Sequence, residues 1–190
     1  DYKLLMLAKK FKPDIFLSFA SPYAAHVSYV MNKPHIAFTD TEHATLGNLV
    51  FSKFTNTIVT PKCFKKQFGK KHIRFNGYME LSYLHPDYFK PDKNILELLK
   101  IKKDENYTIV RFVSWNASHD IGYSGLACQD KINLIKKLSR HCKVFVSSES
   151  ALPDEIKKFQ LNIPSNKMHD VLFFASLFIG EGATMASEAG

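Results

Sequence analysis

The chain is short of cysteine, of long apolar runs and of familiar signature motifs, and each shortage narrows what it can do. Its three cysteines, Cys63, Cys128 and Cys142, are odd in number and form no C-x-x-C pair. That argues against a disulfide framework and a thiolate metal site, and fits a reducing, cytoplasmic setting. The longest apolar run, residues 171–179, is about half a membrane span. No H-E-x-x-H and no carboxylate cluster at ligand spacing occurs, so neither a catalytic metal nor another cofactor is expected. The sequence opens on Asp1-Tyr2-Lys3 without a methionine, inside an amphipathic pattern, and stops at Gly190 inside another helical stretch. Both ends therefore read as cut, and the absence of a targeting signal carries little meaning.

What is present can fold. Apolar residues make up 45% of 190, with 16 Phe and 8 Tyr, enough to build one domain or two small ones and to make disorder an unsuitable reading. The positive charge is uneven. Residues 1–94 hold 14 Lys/Arg against 7 Asp/Glu, whereas residues 95–190 hold 12 against 11. The excess is densest from Lys62 to Arg74. Such a patch suits nucleic acid, an anionic membrane surface or a phosphorylated substrate, and equally a solvated helix face.

Short buried-type strands alternate with helical stretches along the chain. Strands are predicted at 14–20, 35–39, 57–60 and 72–75, with helices at 1–12, 23–31, 44–54 and a short basic one at 63–68 closed by Gly69. Residues 77–94 interleave aromatics with two prolines and read as an ordered connector. The rhythm then restarts, with strands at 107–113, 143–146 and 176–180. Helices are predicted near 94–99, 129–141, 153–158 and 170–175, the last capped by Asp170. Strands separated by helical crossovers indicate parallel sheets with right-handed connections. The fold class is α/β. Residues 1–76 form the later part of one half, 77–94 the connector and 95–190 the earlier part of a second half.

Ligands in open α/β sheets sit outside the carboxyl ends of the strands. In the second half those ends are Ser114–Ser118, Ser147–Glu149 and Gly180–Thr184, all small and polar. The closing stretch, Ser176-Leu-Phe-Ile-Gly-Glu-Gly-Ala-Thr-Met-Ala-Ser-Glu-Ala-Gly190, reads as strand, tight turn and helix start. A helix start with glycines beside it suits an anion. It is no P-loop, because no Gly-Lys-Ser/Thr follows. Nor is it a full dinucleotide fingerprint, because Met185 holds the third glycine position. Glu188 falls four residues after Thr184, one too late for a capping box. A plain strand-to-helix corner explains the same residues.

Four segments carry a family resemblance. They are Pro13-Asp14 through His43 (with Ser-Pro-Tyr-Ala-Ala-His and Asp-Thr-Glu-His), Gly77 through Asp92, Arg111 through Gly125, and Phe178 through Ala189. On these the chain resembles the middle of a two-domain glycosyltransferase-B-type protein. It is most similar to a family of predicted glycosyltransferases described as a domain of unknown function. It is distantly similar to UDP-N-acetylglucosamine 2-epimerases and to the lipid-linked peptidoglycan N-acetylglucosaminyltransferase. The resemblance implies two Rossmann-like parallel-sheet halves, truncated at both ends here, with a nucleotide-sugar donor held mainly by the second. It implies that Gly182, Ala183 and Thr184 meet the diphosphate and that Glu188 accepts from the ribose hydroxyls. It also implies that Lys167, Met168 and His169 flank the base and that the Ser114–Ser118 loop closes over the phosphates. That loop departs from the glycine-rich form of some relatives.

Catalytic base candidates lie at the cleft end of the first half: Asp40, Glu42 and His43, which serve equally well as loop caps or ion-pair partners. Trp115, Asn116, His119, Ser148 and Glu149 join Ser114 as candidate donor-site residues, with Asp120 beside His119 and loop hydrogen bonding or packing as their plainer roles. Three classes follow. The first is a metal-independent glycosyltransferase using a UDP-sugar, in surface polysaccharide or glycolipid synthesis. Its basic half would face a phosphorylated or lipid-linked acceptor, with peripheral contact at the inner face of an anionic membrane. The second is a 2-epimerase-like epimerase or hydrolase. It is disfavoured because Ala20-Ser21-Pro22 stands where those enzymes carry Gly-Asp-Thr. The third is a basic nucleic-acid module, disfavoured because Phe64, Phe68 and Phe75 have a spacing that suits burial. With both sheets incomplete, the 190-residue stretch alone is expected to be inactive.

Overall fold

Short apolar strands followed by helical crossovers build two parallel sheets in a computed structural model that describes residues 1–102, 104–114 and 125–190. Two units result, Asp1–Leu81 and Ser82–Gly190, so the division falls within the predicted 77–94 connector.

The first unit carries β1 (Phe16–Phe19), β2 (His35–Phe38), β3 (Thr57–Pro61) and β4 (His72–Phe75), all parallel and in chain order across the sheet. Its helices are α1 (Tyr2–Phe11), α2 (Pro22–Val30) and α3 (Thr45–Ser52). Lys12 turns into the left-handed region at φ 57° and ends α1 just before Pro13. Ser21 caps α2 by accepting from the Ala24 N–H, and Pro22 follows at the first helical position. One face of the sheet meets the helices: Ala37 and Ile58 pack with Ala25 and Phe51, and Phe16 packs with Ala8 and Val27. The opposite face carries Leu17 and Phe19 in register with Ile36 and Phe38, and Leu17 and Phe19 are exposed.

The predicted helix at 63–68 does not form; residues 62–68 are irregular and a short 3₁₀ turn covers Gly69–Lys71. Tertiary partners have taken the backbone groups a helix would use. The Lys65 N–H donates to Glu42 Oε1 at 2.9 Å, and the Arg74 guanidinium donates to the Lys65 and Lys66 carbonyls. Phe64 is buried and stacks on Phe68, which fixes this path.

At the division lies α4 (Leu81–Leu84), followed by α5 (Asn94–Leu98). The second sheet contains β5 (Tyr107–Phe112), β6 (Lys143–Ser148) and β7 (Leu177–Gly180), parallel, in the order β6-β5-β7. Between and after these strands come α6 (Cys128–Leu138), α7 (Asp154–Lys157), α8 (Met168–Phe174) and α9 (Ala183–Ala189). The central strand β5 is covered on both faces, as a parallel strand requires. Val110 and Phe112 pack with Ile132, Ile135, Val144, Val146 and Ile156. Tyr107 and Ile109 pack with Ile95, Leu99, Val171 and Leu172. Ser147 and Ser148 belong to β6 rather than to a loop beyond it, because the ladder with β5 continues to Phe112↔Ser148.

Asp170 does not cap α8. It is the third residue of that helix, buried, and accepts from the Asp92 N–H at 2.8 Å. Lys167 lies 2.8 Å from Asp92 and 3.5 Å from Asp170, so the acid holds the incoming chain against α8. The hydrogen bond from Lys167 and the N–H of Asn94 hold the Asp92 carboxyl below its usual range.

Candidate functional site

Chain order and sheet order diverge at β5. The chain passes from β5 to β6 on one side, then crosses to β7 on the other. Such a switch point opens a crevice at the carboxyl ends of the flanking strands. The residues leaving β5 and β7, Val113–Ser114 and Glu181–Gly182, lie at that point.

Two carboxylates organise it. Glu181 Oε2 accepts from the Val113 N–H at 3.0 Å and Oε1 from the Leu126 N–H at 2.6 Å. Its side chain is 9% exposed, and Lys131 Nζ lies 3.7 Å away. One acid therefore ties the residue after β5 to Leu126, two residues before α6. Glu149 works from the residue after β6: its Oε2 accepts from both the N–H and the hydroxyl of Ser114 at 3.0 Å. Its Oε1 pairs with Arg111 at 2.6 Å, and Arg111 also donates to Ser147 Oγ at 2.8 Å. The two Ser114 hydrogen bonds and the Arg111 charge hold the Glu149 carboxyl below the usual range. Protein carboxylates thus occupy the N–H groups of Val113, Ser114 and Leu126, which an incoming phosphate would otherwise meet.

A second constellation surrounds Glu188 on α9. Its Oε1 accepts from the Tyr83 hydroxyl at 2.8 Å and lies 3.3 Å from His169 Nε2. The Tyr83 and His169 rings sit 5.5 Å apart at 34°, and Phe89 meets His169 edge-on at 6.2 Å. The Glu188 side chain is 13% exposed. Among the described residues no partner takes its Oε2.

The remaining donor-side candidates divide. Gly182 precedes α9, with Ala183 and Thr184 exposed in its first turn. Gly180 is demanded by packing, because a Cβ there would sit 2.5 Å from the Phe178 ring. Met168 packs on the Tyr107 cluster, and Ser148 Oγ accepts from the Ser150 N–H at 3.3 Å. Trp115, Asn116, His119 and Asp120 lie outside the described residues.

In the first unit, Asp40, Glu42 and His43 follow β2. Asp40 is exposed and accepts from the Thr41 hydroxyl at 2.9 Å. Glu42 spends one oxygen on the Lys65 N–H, and its carbonyl accepts from Lys66 at 2.6 Å. His43 is exposed. The basic patch is partly structural: Lys66, Lys71 and Arg74 donate to backbone carbonyls, Lys71 to those of Ser52 and Thr55. After β1, the helix cap Ser21 stands where an epimerase-like aspartate would be.

The family model described as "Protein of unknown function (DUF354)" matches residues 1–190. The chain belongs to the DUF354 family. This DUF354 chain is similar to an uncharacterised protein of Methanocaldococcus jannaschii, at 26% identity over 199 residues. The match covers 98% of the chain but 57% of that relative, so the chain spans little more than half its length. Among the described residues of the DUF354 chain, no helix is long and apolar enough to cross a membrane. No group of three or more His, Cys, Asp and Glu there could hold a metal ion.

Glu181, Arg111 and Tyr83 are the site residues that sequence reasoning missed. Arg111 had a signal, as the single charge inside an otherwise buried strand. Glu181 had one as an acid between two glycines at a strand end. Tyr83 had none, being one aromatic of several in the connector.

Proposed function

We propose that this DUF354 protein is a metal-independent glycosyltransferase that takes its sugar from a nucleotide-sugar donor, a UDP-sugar. The observation that carries the reading is Glu188: a carboxylate with one oxygen held by Tyr83 and close to His169, its other oxygen without a partner among the described residues, on the helix that starts at the switch point of a parallel sheet. A ribose diol is the group such an oxygen suits, and a charge-assisted bond of that kind contributes roughly 1.5–3 kcal/mol. Gly182, just before α9, and Ala183 and Thr184 in its first turn then lie one to two turns ahead of Glu188, where N–H groups and small side chains suit the diphosphate. Because Glu149 and Glu181 already fill the N–H groups of Val113, Ser114 and Leu126, the diphosphate is assigned to the α9 side.

In transfer, the acceptor oxygen bonds to the sugar's anomeric carbon as the bond to the diphosphate breaks, and a base takes the acceptor proton. Asp40, Glu42 and His43, which follow β2, are the candidates for that role. The positive charge of the first half suits a phosphorylated or lipid-linked acceptor at an anionic surface, in polysaccharide or glycolipid synthesis.

Titration calorimetry of purified protein with UDP is the test. Binding is expected, and Glu188→Ala should weaken it about tenfold or more. Equal affinities in wild type and variant would remove Glu188 from the site and the reading with it. Isomerisation of a UDP-sugar without acceptor, seen by mass spectrometry, would favour epimerase chemistry instead.

A further inference from the structure

The Glu188 carboxylate is held by side chains from two other elements. Tyr83 comes from α4 and His169 from the first turn of α8. Both meet the same oxygen, Oε1. A carboxylate is planar, so a hydroxyl donor on Oε1, with an imidazole nitrogen 3.3 Å from the same oxygen, restricts where Oε2 points. The two side chains are themselves held, since the tilted Tyr83 ring lies 5.5 Å from His169 and Phe89 packs on His169 in a T-shaped contact. Glu188 would otherwise be a flexible side chain on a short helix, losing rotamer freedom whenever it met a ligand.

We propose that Tyr83 and His169 are positioning residues that pre-set Glu188 for the diol of a nucleoside diphosphate, and that the Tyr83 hydroxyl thereby sharpens discrimination between ribose and 2′-deoxyribose. The proposal rests on the reading of Glu188 as the ribose acceptor. A carboxylate already oriented bonds the 2′-hydroxyl without first being ordered, so the benefit goes to the ligand that has this hydroxyl. A ligand that keeps only the 3′-hydroxyl gains less from the same orientation. The pair therefore acts on selectivity, whereas a strut joining α4 to α9 would act on stability alone.

Tyr83→Phe separates these roles, because it keeps the ring contact with His169 and removes only the hydroxyl. The probes are UDP and 2′-deoxy-UDP, titrated by calorimetry, with thermal melting alongside. Affinity for UDP should fall roughly fivefold, affinity for 2′-deoxy-UDP should stay within about twofold, and the melting midpoint should hardly move. At His169, Gln, which keeps a polar N–H group near Glu188, should preserve more of the UDP preference than Leu, which has none. Equal losses for both nucleotides together with a lower midpoint would identify a structural strut and overturn the proposal. Unchanged affinities for both nucleotides in Tyr83→Phe would overturn it too. Glu188→Gln is the separating control. If it leaves UDP affinity intact, the nucleotide reading itself falls. If it weakens UDP while Tyr83→Phe leaves the preference unchanged, only the positioning role falls.

Discussion

At the residue scale, His35 is the polar group most committed to the fold of the first unit. It is fully buried, with Nδ1 2.9 Å from Thr55 Oγ1 and Nε2 2.9 Å from Ser18 Oγ. The Thr55 hydroxyl donates its proton to the Phe51 carbonyl at 2.8 Å, so it must accept from Nδ1–H. Nε2 is then the acceptor for the Ser18 hydroxyl, and the ring is neutral. Burial pushes the His35 pKa below its ordinary value, and His72 is lowered by burial and by the nearby Arg74. A histidine with a depressed folded pKa binds its proton more readily in the unfolded chain. Its stabilising contribution is full above the unfolded value of about 6.5 and declines as the pH falls below it. Urea midpoints should therefore drop between pH 7 and pH 5. His35→Gln should lower stability by about 1–3 kcal/mol at pH 7 and flatten the decline, with His72 sustaining the rest. A wild-type profile that is level across this range would refute the argument. His35 was not legible beforehand, since a histidine opening an apolar strand carries no sign that Ser18 and Thr55, 17 and 20 residues away, will enclose it.

At the element scale, one side chain joins Val113, just past β5, to Leu126, just ahead of α6. Glu181 reaches from the end of β7 to the N–H groups of Val113 and Leu126, with Lys131 nearby. Glu181→Ala would leave two donors without their acceptor and should cost about 2–3 kcal/mol. Hydrogen exchange followed by mass spectrometry should speed up at Val113 and Leu126 while Ile109 and Val110 stay protected; slow exchange at all four would contradict the clamp. Elements of this kind were readable only in part. The strands announced themselves because they are short, apolar and bounded by proline, glycine or asparagine, and their alternation with helices made parallel pairing the economical topology. The helix expected at 63–68 failed because its pattern is local, while Glu42 and Arg74, which claim its backbone groups, lie 23 and 8–9 residues off. Asp170 resembles a cap for the same reason: its spacing fits one, and its partner at Asp92 is 78 residues earlier. Within the site, the strand ends were visible as polar clusters. Which carboxylate faces a ligand and which braces the backbone could not be told from residue type, because Glu149, Glu181 and Glu188 are chemically alike until their neighbours are known.

At the scale of the whole molecule, the two units have separate cores. One is built on Ala25, Ala37, Phe51 and Ile58, with Ala8, Phe16 and Val27 beside it. The other sandwiches β5 between the Val110 and Tyr107 clusters. Units with their own cores can unfold as separate cooperative steps, and anything that binds one native unit raises only that unit's transition. Ile58→Ala and Ile109→Ala each empty a fully buried site and should cost about 2–5 kcal/mol, the first in the first unit and the second in the other. Calorimetric scans should accordingly contain two transitions, each variant lowering a different one. Addition of UDP should raise the transition lowered by Ile109→Ala and leave the other in place, since Glu188, Tyr83 and His169 all belong to the second unit. A UDP-induced rise confined to the transition that Ile58→Ala lowers would move the nucleotide to the first unit, and a single transition moved by both variants would mean that the two cores unfold as one.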